Sequence, residues 1–366
     1  MTNTTERRVL EGVPRIHFYE GGPRCPEDVP FPSAVRAYME YIGDDLGCKH
    51  TKSPASISGC DCAYANITGI SGSAFFLSWG RGWQTDNAAL HFMSDDPGAP
   101  YERTFKALGY DFDWIRKDEA EMRRYIVESI GRGRPVIAFG VVGPPEPSLI
   151  AGYDEGGDVL VGWSVFQGMP EFNVGVEFEP SGHFRKRNWF ESTECIARIG
   201  EKRERPALDE TYRDALRWGL QVARTPVTYG TRPNGLAAYD AWAADVLRDE
   251  DLATDDMAVL MERYMAHFIV VGMVAECRWY GSLFLNQVAR RIPEMADDLA
   301  KAAECFVAEH DLMWAVWEFA GGNGVSEVHA RKFAEPITRQ RISPLIRLSR
   351  KLDAEAADHI ERALSR

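Results

Sequence analysis

The sequence predicts an α+β domain followed by an all-α domain, and three observations carry that prediction. Up to about residue 200, short apolar runs of strand length are mixed with helical segments. Beyond that point nearly every segment has the helical period. Between the two lies EKRERP at 201–206, charged and closed by Pro, as suits a solvated connection between packed units. The expected division is therefore residues 1–200, a linker at 201–206, and a helical domain at 207–366. At roughly 150 residues per domain, 366 residues suit two units. A 45% hydrophobic content with 10 Trp gives each enough apolar area for a core.

The elements follow in order. SAVRAYMEYI at 33–42 places Ala34, Ala37, Met39 and Ile42 among polar residues, with Ser33 able to cap and Gly43 to terminate. Residues 119–130 form a second amphipathic helix stopped by Gly131, and GRGRP then feeds the apolar strand VIAFGVV at 136–142. LIAGYDEGGDVLVGWSVF predicts strands at 149–153 and 159–166 around a turn at 154–158, because Gly156 and Gly157 supply the positive φ of a tight hairpin. In the second half, helices are expected at 208–223, 235–247, 254–277, 279–292, 295–319, 325–333 and 353–364, punctuated by Gly, Pro and Asp. No period of 20 to 50 residues marks a solenoid, so they form one bundle.

The net charge of −13, from 55 acidic and 42 basic residues, argues against nucleic acid or an anionic membrane as partner. No run of Lys and Arg concentrates an opposing field. MTNTTERRVLEG lacks the apolar core of a signal peptide, and the longest apolar stretch, 268–275, is short of the roughly 20 residues of a bilayer span. A cytoplasmic protein is expected. Seven Cys, an odd number in a chain of this size, point to reduced thiols rather than a disulfide framework.

Four segments in chain order, PFPSAVRAYMEYIG, GISGSAF, GRPVIAFG and AGYDEGGDVLVGW, resemble papain-like cysteine peptidase folds of the bacteriocin-processing type. More closely, they resemble the amino-terminal domain of the butirosin-biosynthesis acyltransferase family. The likeness covers roughly the first half of the chain and implies a papain-like fold. It also implies a departure from the family's chemistry. Aligning Gly43 with the glycine that ends the family's first helix puts Pro30 at the nucleophilic Cys, and aligning Gly152 with the Gly-Tyr-Asp glycine puts Glu146 at the catalytic His. The third, orienting residue falls near Trp163. Pro30 brings no nucleophile, Glu146 presents no imidazole to take a thiol proton and return it, and Trp163 cannot serve as the orienting residue.

Other residues offer chemistry of their own. Cys48, His50, Cys60 and Cys62 lie within fifteen residues and form a soft ligand set that would take zinc, although C-x-C bites more tightly than the usual C-x-x-C. Cys60 or Cys62 would alternatively serve as a displaced nucleophile beside the Gly- and Ser-rich AYANITGISGSAF, with His50 or His91 approaching in space, and Cys25 is a weaker candidate. Glu146 in GPPEPS would anchor a cation or act as a general base if buried, and otherwise is an exposed loop acid. Trp79, Trp83, Asp86 and Asn87 in SWGRGWQTDNAAL would stack and bond a ligand ring, or pack as core. Glu262, His267, Glu276, Glu304 and His310 lack the Glu-x-x-His spacing of a di-metal bundle.

The expected function is a degenerate papain-like protein that binds a small polar metabolite or peptide-like ligand in an inter-domain cleft. The alternative is a cysteine-dependent acyl or aminoacyl transferase or amide hydrolase working through Cys60 or Cys62. A structural or regulatory partner protein is a third class.

Overall fold

The computed structural model describes residues 6–16, 27–44 and 63–366. Their contacts divide into two compact units, one of residues 6–16, 27–44, 63–67 and 105–205, the other of residues 68–104 and 206–366.

The first unit is built on an antiparallel sheet. Its strands are β1 (Arg8–Val9), β2 (Tyr110–Arg116), β3 (Val136–Phe139), β4 (Pro147–Asp154), β5 (Val159–Ser164), β6 (Val176–Phe178), β7 (Phe184–Arg187) and β8 (Cys195–Lys202). They run in the order β2-β8-β3-β4-β5-β7-β6, with β1 against the far end of β4. Strands β3, β4 and β5 form the centre and are apolar on both faces, as a sheet covered on both sides requires. Helix α1 (Pro30–Tyr41) packs on β3 and β4. Helix α4 (Glu119–Gly131) begins at Asp118, whose carboxylate accepts from the Glu121 amide. Short helices α2 (Ala63–Ser71) and α3 (Ala99–Leu108) complete the first half of the chain.

The hairpin falls where the glycines place it, with β4 and β5 joined through Gly156 (φ 67) and Gly157 (φ 100). Helix α1 starts three residues earlier than the Ser33 cap suggests, because Pro30 at the first position needs no amide partner and has its φ preset for helix. The strand at 136–142 is shorter than expected. It ends at Phe139 because Gly140 turns at φ +82, and a side chain there would strike the Ser192 carbonyl.

The second unit contains α5 (Leu208–Arg224), the short hairpin β9 (Val227–Thr228) and β10 (Arg232–Pro233), α6 (Leu236–Asp245), α7 (Asp249–Leu252), α8 (Met257–Arg291), α9 (Ala296–Ala320), α10 (Glu327–Ala334) and α11 (Pro336–Leu364). A core of Trp79, Trp242, Tyr264, Val271, Met313, Phe333 and Ile346 joins residues 77–83 to α6 and α8 to α11. Two expectations fail here. The helices at 254–277 and 279–292 are one, α8, since the polar Arg278 between them is fully buried and paired instead of marking a surface break. The helix at 353–364 begins at Pro336, and Pro344 lies inside it on the solvent side, where its missing amide costs least.

Helix α8 also contains an 18-residue window of mean hydropathy 1.5, long and apolar enough by composition to cross a bilayer, and 44% of that window is buried. The apolar run at 268–275 understated it because His267 and Glu276 bracket that run in sequence while the helix continues through both.

Candidate functional site

The turn between β3 and β4 carries Glu146 within Gly143-Pro144-Pro145-Glu146-Pro147. Gly140 donates its amide to the Glu146 carbonyl at 3.1 Å, and the Glu146 amide is spent on Pro144 O at 2.6 Å. Gly143, at φ +97, lets the loop approach Phe166, whose ring a Cβ would meet at 2.7 Å. The turn is thus pinned at both ends. Its three prolines offer no N–H, and the Glu146 amide is itself bonded, so the residues next to the acid bring it no backbone donor. The Glu146 side chain is half-buried and makes no hydrogen bond or ion pair among the described residues, and burial pushes its carboxyl up to about 8.

Two residues along, Ser148 is fully buried and its Oγ has no partner. It faces Ala138 on β3 and Ser164 on β5, so three small side chains lie in a row across the centre of the sheet. The Ser164 hydroxyl donates to Val142 O at 3.0 Å and holds the same turn from the other side.

The start of α1, where the resemblance expects a nucleophile, holds none. Pro30 is its first residue, and the only hydroxyl in the first turn, on Ser33, donates to Glu27 Oε2 at 3.3 Å. Arg36 binds that carboxylate at 2.7 Å and reaches Glu40 at 2.6 Å, which closes the site with charge. Trp163 is 6% exposed, donates to Val13 O at 3.2 Å and stacks on His183 at 4.0 Å between ring centroids. Its indole packs the amino-terminal segment onto the sheet.

In the second unit, Trp79 and Trp83 lie in the core and give their indole N–H groups to Asp245 at 2.8 Å and Asp251 at 3.0 Å. Asp86 and Asn87 bind Arg232 at 2.7 and 2.8 Å. Every polar group singled out in SWGRGWQTDNAAL is therefore engaged within this unit. Sequence reasoning missed Arg232 as the hub of that loop, and also missed a buried set around Arg278. The Arg278 guanidinium donates to Ala74 O at 2.7 Å, Tyr239 Oη at 3.2 Å and Asp353 Oδ2 at 3.0 Å, and lies 3.7 Å from Glu309. Neither carboxylate has a local spacing signal, because the four side chains come from α6, α8, α9 and α11.

Cys48, His50, Cys60, Cys62 and Cys25 lie outside the described residues. Among the described residues no group of His, Cys, Asp and Glu is arranged to hold a metal. The described thiols, Cys195, Cys277 and Cys305, are buried, and burial pushes them up to about 11, 12 and 12, far from a thiolate at neutral pH. A scan of protein-family models finds no match for the chain, and a search of the curated proteins finds none either.

Proposed function

We propose that the amino-terminal unit is a papain-like fold without its nucleophile, and that it binds a small amine- or guanidinium-bearing metabolite or peptide-like ligand through Glu146. The observation that supports this most directly is the Glu146 carboxyl, which has no partner among the described residues and is flanked by prolines. A carboxylate held rigid and poorly solvated gains more from a cation than a mobile surface acid does. The orphaned Ser148 hydroxyl two residues away adds a neutral polar group on the same strand. Pro30 at the start of α1, with Ser33 engaged by Glu27, supports binding over group transfer at that position.

The test is thermal unfolding of the full chain with agmatine, spermidine and arginine amide as probes. At least one is expected to raise the midpoint of the wild type and leave Glu146→Gln unmoved. No shift from any of the three, or equal shifts in both proteins, would overturn the proposal.

A further inference from the structure

Residues 331–351 carry seven Lys or Arg and a single acid, Glu335, in a chain whose net charge is −13. The linear sequence disperses them, but the helix gathers them. On α11, Ile337, Arg341, Pro344, Leu348 and Lys351 recur at steps of three and four and so occupy one face, about 21 Å long at 1.5 Å per residue. All five are exposed, and Arg347 flanks them. Ile337 is 54% and Leu348 43% exposed, and on α10 Val328, 74% exposed, precedes Arg331 by three residues.

Three of the seven cations are neutralised: Lys332 by Glu335, Arg339 by Asp249 and Arg350 by Asp240. Arg331, Arg341, Arg347 and Lys351 have no carboxylate within ion-pair distance among the described residues. Pro344, at the centre of the face, withholds the amide that would have bonded the Gln340 carbonyl, which leaves an acceptor on the outer side of the helix. The face therefore alternates apolar side chains with cations that no described carboxylate neutralises, Arg341 lying over the Phe319 ring at 5.8 Å.

We propose that this face of α11, with the end of α10, docks an acidic amphipathic helix of a partner protein. Such a helix presents carboxylates and aliphatic side chains at the same three- and four-residue steps, matching both components. A nucleic acid would satisfy the cations but not Ile337 and Leu348, and the ring beside the face, Phe319, is already covered by Arg341. A lipid surface would call for bulkier side chains to insert than these.

The experiment is fluorescence anisotropy of the full chain with a labelled helical peptide of about 15 residues, Leu on one face and Glu on the other. The peptide is expected to bind, more weakly as salt is raised, and Arg341→Glu/Arg347→Glu/Lys351→Glu is expected to weaken it at least about tenfold. Leu348→Gln should weaken it with no change of charge. Circular dichroism reports whether each variant folds, and Arg347→Glu alone with Ile337→Asp carries the test if the triple variant does not. Absence of peptide binding would overturn the proposal. So would equal binding by folded variants, or tighter binding of a single-stranded oligonucleotide or phosphatidylserine vesicles than of the peptide.

Discussion

Replacing Glu309 by Gln should make the protein more stable at neutral pH, and the gain should grow with pH. Arg278, Asp353 and Glu309 are sealed in the helical unit, with one guanidinium facing two carboxyl groups. Asp353 takes the direct bond at 3.0 Å, whereas Glu309 is 3.7 Å from the guanidinium and accepts instead from the Tyr239 hydroxyl at 2.7 Å. Burial, with Asp353 as a second anion, holds the Glu309 carboxyl well above the usual carboxylate range, so the fold keeps its proton to higher pH than the unfolded chain does. The unfolded chain releases that proton above about pH 4.3, and the linkage then has one sign: stability falls as pH rises, by about 1.4 kcal/mol per unit. Gln has the shape of the protonated acid and nothing to release. Glu309 Oε1 already lacks a partner, so the amide introduces no new orphan. The stability of Glu309→Gln minus wild type should therefore widen as pH rises above about 4.3, by at most about 1.4 kcal/mol per unit. Urea unfolding at pH 5, 6, 7 and 8 measures it, since titrating groups that do not touch Glu309 cancel in the difference. A difference that stays flat across this range refutes the protonated Glu309. Asp353→Asn should go the other way and cost about 3 kcal/mol or more, because it strips the bonded anion from a buried guanidinium.

Other substitutions probe the positions that fix the helical unit. Gly235 sits at φ 53 and ψ −132, and a Cβ there would lie 2.1 Å from Ala223 O, so Gly235→Ala should cost about 3 kcal/mol in urea unfolding, and a loss under about 1 kcal/mol would contradict the geometry. Arg232 donates to Ser78, Gln84, Asp86 and Asn87 and lies 3.7 Å from the Phe92 ring centroid, so Arg232→Met should lower stability by about 3 kcal/mol through the acceptors it strands. His267 accepts from Trp242 and is held down to about 3 by burial, so its ring resonances should not titrate between pH 8 and 5, and a midpoint in that range would show that the site admits water.

What the sequence makes legible is local. The β4–β5 hairpin follows from two adjacent glycines, and α4 from its Asp118 cap and apolar spacing, because each depends on residues within a few positions. Strands β2 and β8 escaped notice for the opposite reason. YDFDWIR and CIARIGEK pair with one another across 79 to 92 residues, and each exposes one face, so their mixed polarity has no local cause. Helix α8 was cut at Arg278 and α11 truncated after its proline and basic residues because a polar residue reads as surface until its partners are known. The partners of Arg278 stand on three other helices, and those of Arg339 and Arg350 on α7 and α6.

Glu146 shows the same limit at the candidate site, and there it leads to a measurable consequence. The prolines around it are visible in the sequence, but that the carboxyl finds no partner among the described residues becomes visible only in the fold. With its carboxyl pushed up to about 8, Glu146 is mostly protonated at pH 7, and a bound cation must displace that proton. Affinity for an amine probe should therefore rise about tenfold per pH unit up to about 8 and level off above it, provided the amine stays charged. Calorimetric titration at pH 7 in two buffers of different ionisation enthalpy should give different apparent heats, by close to one proton's worth. Glu146→Gln should abolish both the binding and the buffer dependence. Binding whose heat is the same in both buffers would mean that the cation meets an acid already ionised, and that Glu146 is solvated in a way its prolines do not provide.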